Sequence, residues 1–179
     1  ALMASCTSPN ASTTTDAPPI ETDGKTIVVE AESFSGSEGD VNKVDIDGGQ
    51  GVVLNGDEGW LAFDLPVSIA GRYRVETRIY GNESSSYWIE DYVTNQDGRT
   101  YNITGASKAM SQDDGWTDVI VEGSPLDTGV HPIRIHVRGA ETTLDKVTFT
   151  LMREHELTPK QITAEMTGTE PSLVWSDEF

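Results

Sequence analysis

Between residues 26 and 153 apolar and polar side chains alternate with a period of two. Tyr73, Val75, Thr77 and Ile79 are interleaved with Arg72, Arg74, Glu76, Arg78 and Tyr80, and Ile133, Ile135 and Val137 with Arg134, His136 and Arg138. Leu61, Phe63 and Leu65 follow the same rule against Trp60, Ala62 and Asp64, and Val147, Phe149 and Leu151 repeat it near the end. Successive strand residues point to opposite faces, so each segment reads as a half-buried strand with one core face and one polar face. Turn-forming clusters separate the segments: Asp47-Gly48-Gly49, Asn55-Gly56-Asp57, Ala70-Gly71, Asn95-Gln96-Asp97-Gly98 and Thr128-Gly129. Roughly eight or nine such strands predict an all-β fold, an antiparallel β-sandwich of the jelly-roll kind. No internal repeat is visible.

At 179 residues the chain is long enough to bury a core. Thirty acidic against 12 basic side chains leave a formal charge of −18. That field repels phosphate backbones and anionic headgroups, which excludes nucleic acid as a partner class. Mean hydropathy is −0.38 and no uninterrupted apolar run is long enough to span a bilayer. A single cysteine, Cys6, rules out an internal disulfide framework. It follows Leu2-Met3-Ala4-Ser5, which resembles the tail of a bacterial lipoprotein signal whose cysteine becomes lipidated. Eleven of the 18 residues from 5 to 22 are Ser, Thr or Pro, a composition too polar to offset its ordering entropy. Residues 1–25 therefore read as a lipid-anchored tether, 26–153 as the sandwich and 154–171 as a linker. The anchor on Cys6 would be the only link to a membrane.

Glu30 and Glu32, in Val29-Glu30-Ala31-Glu32-Ser33-Phe34, stand at i and i+2 on an opening strand. Like charges so placed repel unless a cation bridges them, and hard oxygen ligands suit Ca²⁺. Asp145 of the last strand joins them if the first and last strands are neighbours. His131, His136 and His155 lack metal-ligand spacing, and neither a Gly-x-Ser-x-Gly elbow nor a phosphate loop is present.

In order along the chain stand Glu30-Ala31-Glu32-Ser33-Phe34, Asp47-x-Gly49, Gly59-Trp60-Leu61-Ala62-Phe63 and Ala70-Gly71-Arg72-Tyr73-Arg74-Val75. Gly115-Trp116, Gly129-Val130-His131-Pro132-Ile133-Arg134 and Leu144-Asp145-Lys146-Val147 complete the set. Together they resemble carbohydrate-binding module family 6. The resemblance implies a β-jelly roll with a structural Ca²⁺ held by Glu30, Glu32, Asp145 and backbone carbonyls. Leu173-Val174-Trp175-Ser176-Asp177-Glu178-Phe179 is in turn similar to the opening strand of glycoside hydrolase family 16. Residues 172–179 would then begin a downstream catalytic domain, whose paired catalytic carboxylates are not in this sequence.

Sugars offer apolar C–H faces and hydroxyl edges, so their sites need an exposed aromatic plane beside hydrogen-bonding groups. Two places qualify. The family's loop-end cleft would use Trp116, although Leu54 and Thr143 occupy the positions usually held by an aromatic and an Asn. The other is the polar face of one sheet, the concave face that the family sometimes uses. With Ile89 and Val93 inward, Trp88, Glu90 and Tyr92 point outward, as does Trp60, with Arg74, Arg78 and His136 as further candidates. Tryptophans without core duties call for a cover: a sugar, or loops and the tether. The expectation is a non-catalytic module that holds a polysaccharide, a β-glucan such as laminarin or a galactan, near a cell-surface hydrolase. It would sit at the bacterial surface or be secreted, with outer-membrane glycan-uptake proteins as partners. The competing expectation is a docking module without a sugar site.

Overall fold

The computed structural model describes residues 20–82, 84–92, 100–108, 116–139 and 141–154. Eleven strands are assigned among them. They are β1 (Glu21–Thr22), β2 (Thr26–Glu30), β3 (Gly36–Ile46), β4 (Gly49–Val67), β5 (Gly71–Tyr80) and β6 (Ser86–Asp91). β7 (Tyr101–Asn102), β8 (Ser107–Lys108), β9 (Thr117–Leu126), β10 (Gly129–Arg138) and β11 (Thr142–Glu154) follow. One turn of 3₁₀ helix, Ala31–Ser33, closes β2, so Glu32, expected beside Glu30 on the opening strand, lies in this turn instead. Every pairing is antiparallel.

Two layers result. In the first, β10 lies between β4 and β6, with β7 and β8 beyond β6. In the second, β11 lies between β2 and β5, with β9 beyond β5 and β1 beside β2. The long β3–β4 hairpin serves both layers. Val52–Leu54 pair with β11, while residues 58–67 pair with β10. The chain turns this corner where the β3–β4 register slips between Glu38 and Asp40. Gly39 (φ 98°) and Gly56 (φ 110°) take the left-handed conformations the corner needs.

The alternating residues meet in one core. Leu61, Leu65, Tyr73, Val75, Ile79, Ile89, Ile135, Val147 and Phe149 are wholly buried, and Ile133, Val137 and Phe63 nearly so. Each such side chain contributes about 1.5–3 kcal/mol on leaving water. Thr77 occupies a core position as its place in the alternation requires. Two further details differ from expectation. There are more strands than eight or nine, because β1, β7 and β8 have only two residues each and carry no readable alternation. The stretch read as the end of the tether, residues 20–25, belongs to the fold: Glu21 pairs with Val28, Thr22 with Ile27, and Ile20 packs on the core. Cys6, residues 155–171 of the expected linker and residues 172–179 lie outside the described residues.

Candidate functional site

The outer face of the first layer carries a continuous aromatic and charged surface. In the register of β4, β10 and β6, Trp60 pairs with His136 and His136 with Trp88, so the three rings form one row. In the next row Ala62, Arg134 and Glu90 are aligned, and Tyr92 follows Asp91 at the end of β6. Trp88 and His136 stack with centroids 4.9 Å apart and planes 2° from parallel. Tyr92 Oη lies 3.3 Å from His136 Nε2. The Arg134 guanidinium sits 4.0 Å from the Trp60 centroid and 4.3 Å from that of Tyr92, a cation between two rings. Arg138 lies 5.4 Å from the Trp88 centroid.

Both indole N–H groups are anchored. Trp60 Nε1 donates to Glu38 Oε2 at 2.8 Å, and Trp88 Nε1 to Glu90 Oε1 at 3.0 Å. Glu90 also stands 3.5 Å from His136 Nε2. Burial pushes the His136 pKa down, the Glu90 carboxylate opposes this, and Arg134 adds to the lowering; the net direction is down. Burial thus favours the neutral ring, whose Nε2 faces the Tyr92 hydroxyl while the ring stacks on indole. The face combines half-buried rings with acceptors and donors at their edges.

Trp116 stands apart, at the start of β9. It meets Tyr80 edge-on at 6.2 Å, and the Arg78 guanidinium lies 5.5 Å from its ring. Leu54 is a core residue, 3% exposed. Thr143 is held between Val53 and Tyr80 in the strand register. Tyr80 is therefore the aromatic neighbour of Trp116.

Glu30, Glu32 and Asp145 line one cavity of about 420 Å³, with Asp47, Gln50, Arg78 and Lys146. A register slip between Leu144 and Lys146 makes Asp145 an extra residue in β11, and both polar residues then stay outside the core. Glu32 Oε2 is buried without a hydrogen-bond partner. Desolvation raises the Glu30 pKa; Lys146 opposes the rise and the charges of Glu32 and Asp145 add to it. A hard cation would relieve each of these features. Against it, Asp145 is turned toward Arg78, 3.0 Å from its Nε. Among the described residues no three acidic, His or Cys side chains converge tightly enough to hold an ion as they stand.

Solved structures share this architecture. The C-terminal family 6 carbohydrate-binding module of a marine laminarinase from Zobellia galactanivorans gives a TM-score of 0.55 at 19% identity, over 70% of this chain and 98% of that one. A carbohydrate-binding module of Cellvibrio mixtus lichenase 5A, solved with cellotriose, gives 0.54 at 18% identity, over 70% and 97%. A β-1,3-glucan-binding family 6 module from Bacillus halodurans gives 0.52 at 13%, over 69% and 94%. The fold is the one these modules share. No protein-family model matches the sequence, and no curated protein does.

The strand alternation had placed Trp60, Trp88, Glu90 and Tyr92 outward together, and the structure brings all four to one face with His136. Ile89 is core as expected, while Val93 lies outside the described residues. Arg74 and Arg78 do not belong to this face. They lie on β5, whose neighbours are β11 and β9 in the second layer. Arg134, Arg138 and Glu38 were missed. Arg134 and Arg138 share the parity of His136, a signal present in the sequence; Glu38 reaches Trp60 only through the β3–β4 corner.

Proposed function

We propose that the chain is a non-catalytic carbohydrate-binding module that holds a β-glucan such as laminarin, or a galactan, close to a polysaccharide hydrolase. The observation that carries this reading is the outer face of β4, β10 and β6. Trp60, Trp88 and Tyr92 have no core duty there, and carboxylate, imidazole and guanidinium groups surround their edges. His136, Arg134 and Arg138 lie over these rings, so C–H contacts would use the ring surface they leave and hydroxyls would bond to the polar rim. The likeness of fold to modules solved with cellotriose or described as binding β-1,3-glucan supports the same reading. Holding substrate beside an enzyme raises its effective concentration without any catalytic group on the module. In this reading the enzyme is a family 16 glycoside hydrolase following residue 171, and Cys6 carries the lipid that anchors both at a bacterial surface.

Calcium belongs to the same proposal. Glu30, Glu32 and, once released from Arg78, Asp145 would hold the ion, and Ca²⁺ would supply a positive charge to Glu32, whose buried Oε2 has no partner. Its role would be structural, linking the turn after β2 to the bulge of β11.

Affinity gel electrophoresis on laminarin, mixed-linkage glucan, agarose and carrageenan tests the binding reading. Retardation by at least one polymer, lost in Trp60→Ala with the fold intact, is the expected result. A chain that no polysaccharide retards would favour a docking module that orients an enzyme or binds neighbouring proteins. Burial of Leu54 at the loop-end position already leans that way.

A further inference from the structure

Arg134 departs from the rule followed by every other arginine described. Arg72, Arg74, Arg78, Arg138 and Arg153 each form an ion pair with a carboxylate. Arg134 is half-buried and forms none with any described residue, in a chain with 30 acidic and 12 basic side chains. The neighbouring carboxylates keep their charge but point to other donors: Glu38 accepts from Trp60, Glu90, opposite Arg134 in the strand register, accepts from Trp88, and Glu58 stands 3.5 Å from Arg138. Meanwhile Trp60 and Tyr92, at 4.0 and 4.3 Å, hold the guanidinium between them. A guanidinium carries its five donors in its own plane, where an oxyanion can accept two of them together. The arrangement is a pre-positioned cation that forms no ion pair with any described residue, at the centre of the face read above as the sugar site.

We propose that this face takes an anionic glycan, one bearing sulfate esters or uronate carboxylates, and that Arg134 binds the charged substituent. The inference rests on the carbohydrate-binding reading and narrows its ligand class. Ions screen the distant part of a −18 charge over about 8 Å at physiological salt, and the paired donors of Arg134 must outweigh only the nearer Glu90. Trp60 and Tyr92 then have two duties, fixing the cation and bordering the sugar ring next to it.

The test compares neutral polymers, laminarin and agarose, with sulfated carrageenan and carboxylated polygalacturonate, by affinity gel electrophoresis at about 0.15 M salt. The two anionic polymers separate sulfate from carboxylate recognition. Wild-type protein should bind at least one of them more tightly than either neutral polymer, a result that requires no variant. Arg134→Gln should lose about tenfold on that polymer and several-fold less on any neutral polymer that binds, which loses only the ordering of Trp60 and Tyr92 by the guanidinium. Arg134→Lys, which keeps the charge but not the planar pair of donors, should fall between them. Retention by neutral polymers alone, or equal loss on both classes in Arg134→Gln, would overturn the proposal and leave the carbohydrate-binding reading standing. Retention by none of the four would overturn both.

Discussion

At the scale of single residues, two buried histidines are set in opposite directions, His131 by its acceptors and His136 chiefly by its burial. His131 Nδ1 lies 2.6 Å from Asp91 Oδ2 and its Nε2 lies 2.8 Å from the Asp127 carbonyl, so both ring nitrogens face acceptors. Desolvation alone would lower its pKa; the hydrogen bond and charge of Asp91, with help from Asp127, outweigh it and raise the value. The stability it contributes is complete below the ordinary histidine value and is lost as pH rises through the folded-state value. His136 is the reverse: its value is depressed, so its contribution is present above the ordinary value and is lost as pH falls through the folded one. Titration followed by NMR of the imidazole protons should place these two rings on opposite sides of the ordinary value. Two midpoints on the same side would contradict the assigned environments. The aromatic residues carry a second expectation. Trp60→Ala and Trp88→Ala should each weaken polysaccharide retention about tenfold, equivalent to about 1.4 kcal/mol and in the range of aromatic contacts. Trp116→Ala, set against Tyr80 at the edge of the other layer, should cost less. Dominance of Trp116 in retention measurements would move the site to the loop end.

At the scale of elements, the corner of the β3–β4 hairpin decides whether Trp60 is usable. A Cβ on Gly59 would meet the Glu38 carbonyl oxygen at 2.8 Å, an approach between two backbones with no flexible tip to yield. Glu38 is also the residue that anchors the Trp60 indole. Gly59→Ala should therefore destabilise the fold by about 1–3 kcal/mol, as overpacking does, and weaken sugar retention with it. Gly49→Ala is the control. It has open space around its Cα, and its melting temperature should barely change. Equal melting temperatures for both variants would remove the corner from the account. The bulge at Asp145 has a similar role in β11, where two successive polar residues stay out of the core and face the carboxylate cavity.

At the scale of the molecule, β2 and the last strand, β11, meet with Glu30 opposite Lys146, and the acidic cavity lies at that junction. If Ca²⁺ binds there, its addition should raise the melting temperature and a chelator should reverse the gain. Glu32→Gln should remove the response to Ca²⁺. Without the ion it should be no less stable than wild type, because it relieves like-charge repulsion. A melting temperature indifferent to Ca²⁺ and chelator would exclude the ion. These residues should also release no reducing sugar from laminarin or agarose; turnover abolished by a local Asp or Glu substitution would reverse the non-catalytic assignment. The sequence alone determined which residues face the core, because alternation is a local property: Ile133, Ile135 and Val137 must share a side whatever lies beside β10. It also determined that Trp60, Trp88 and Tyr92 face away from that core. What only the tertiary structure decided was strand order and the corner: that His136 stands between Trp60 and Trp88, that Arg134 enters between Trp60 and Tyr92, and that Arg74 and Arg78 belong to the other layer. Period-two patterning gives each strand its two faces but carries no record of its neighbours, which are chosen by hydrogen-bonded pairing between residues far apart in the chain.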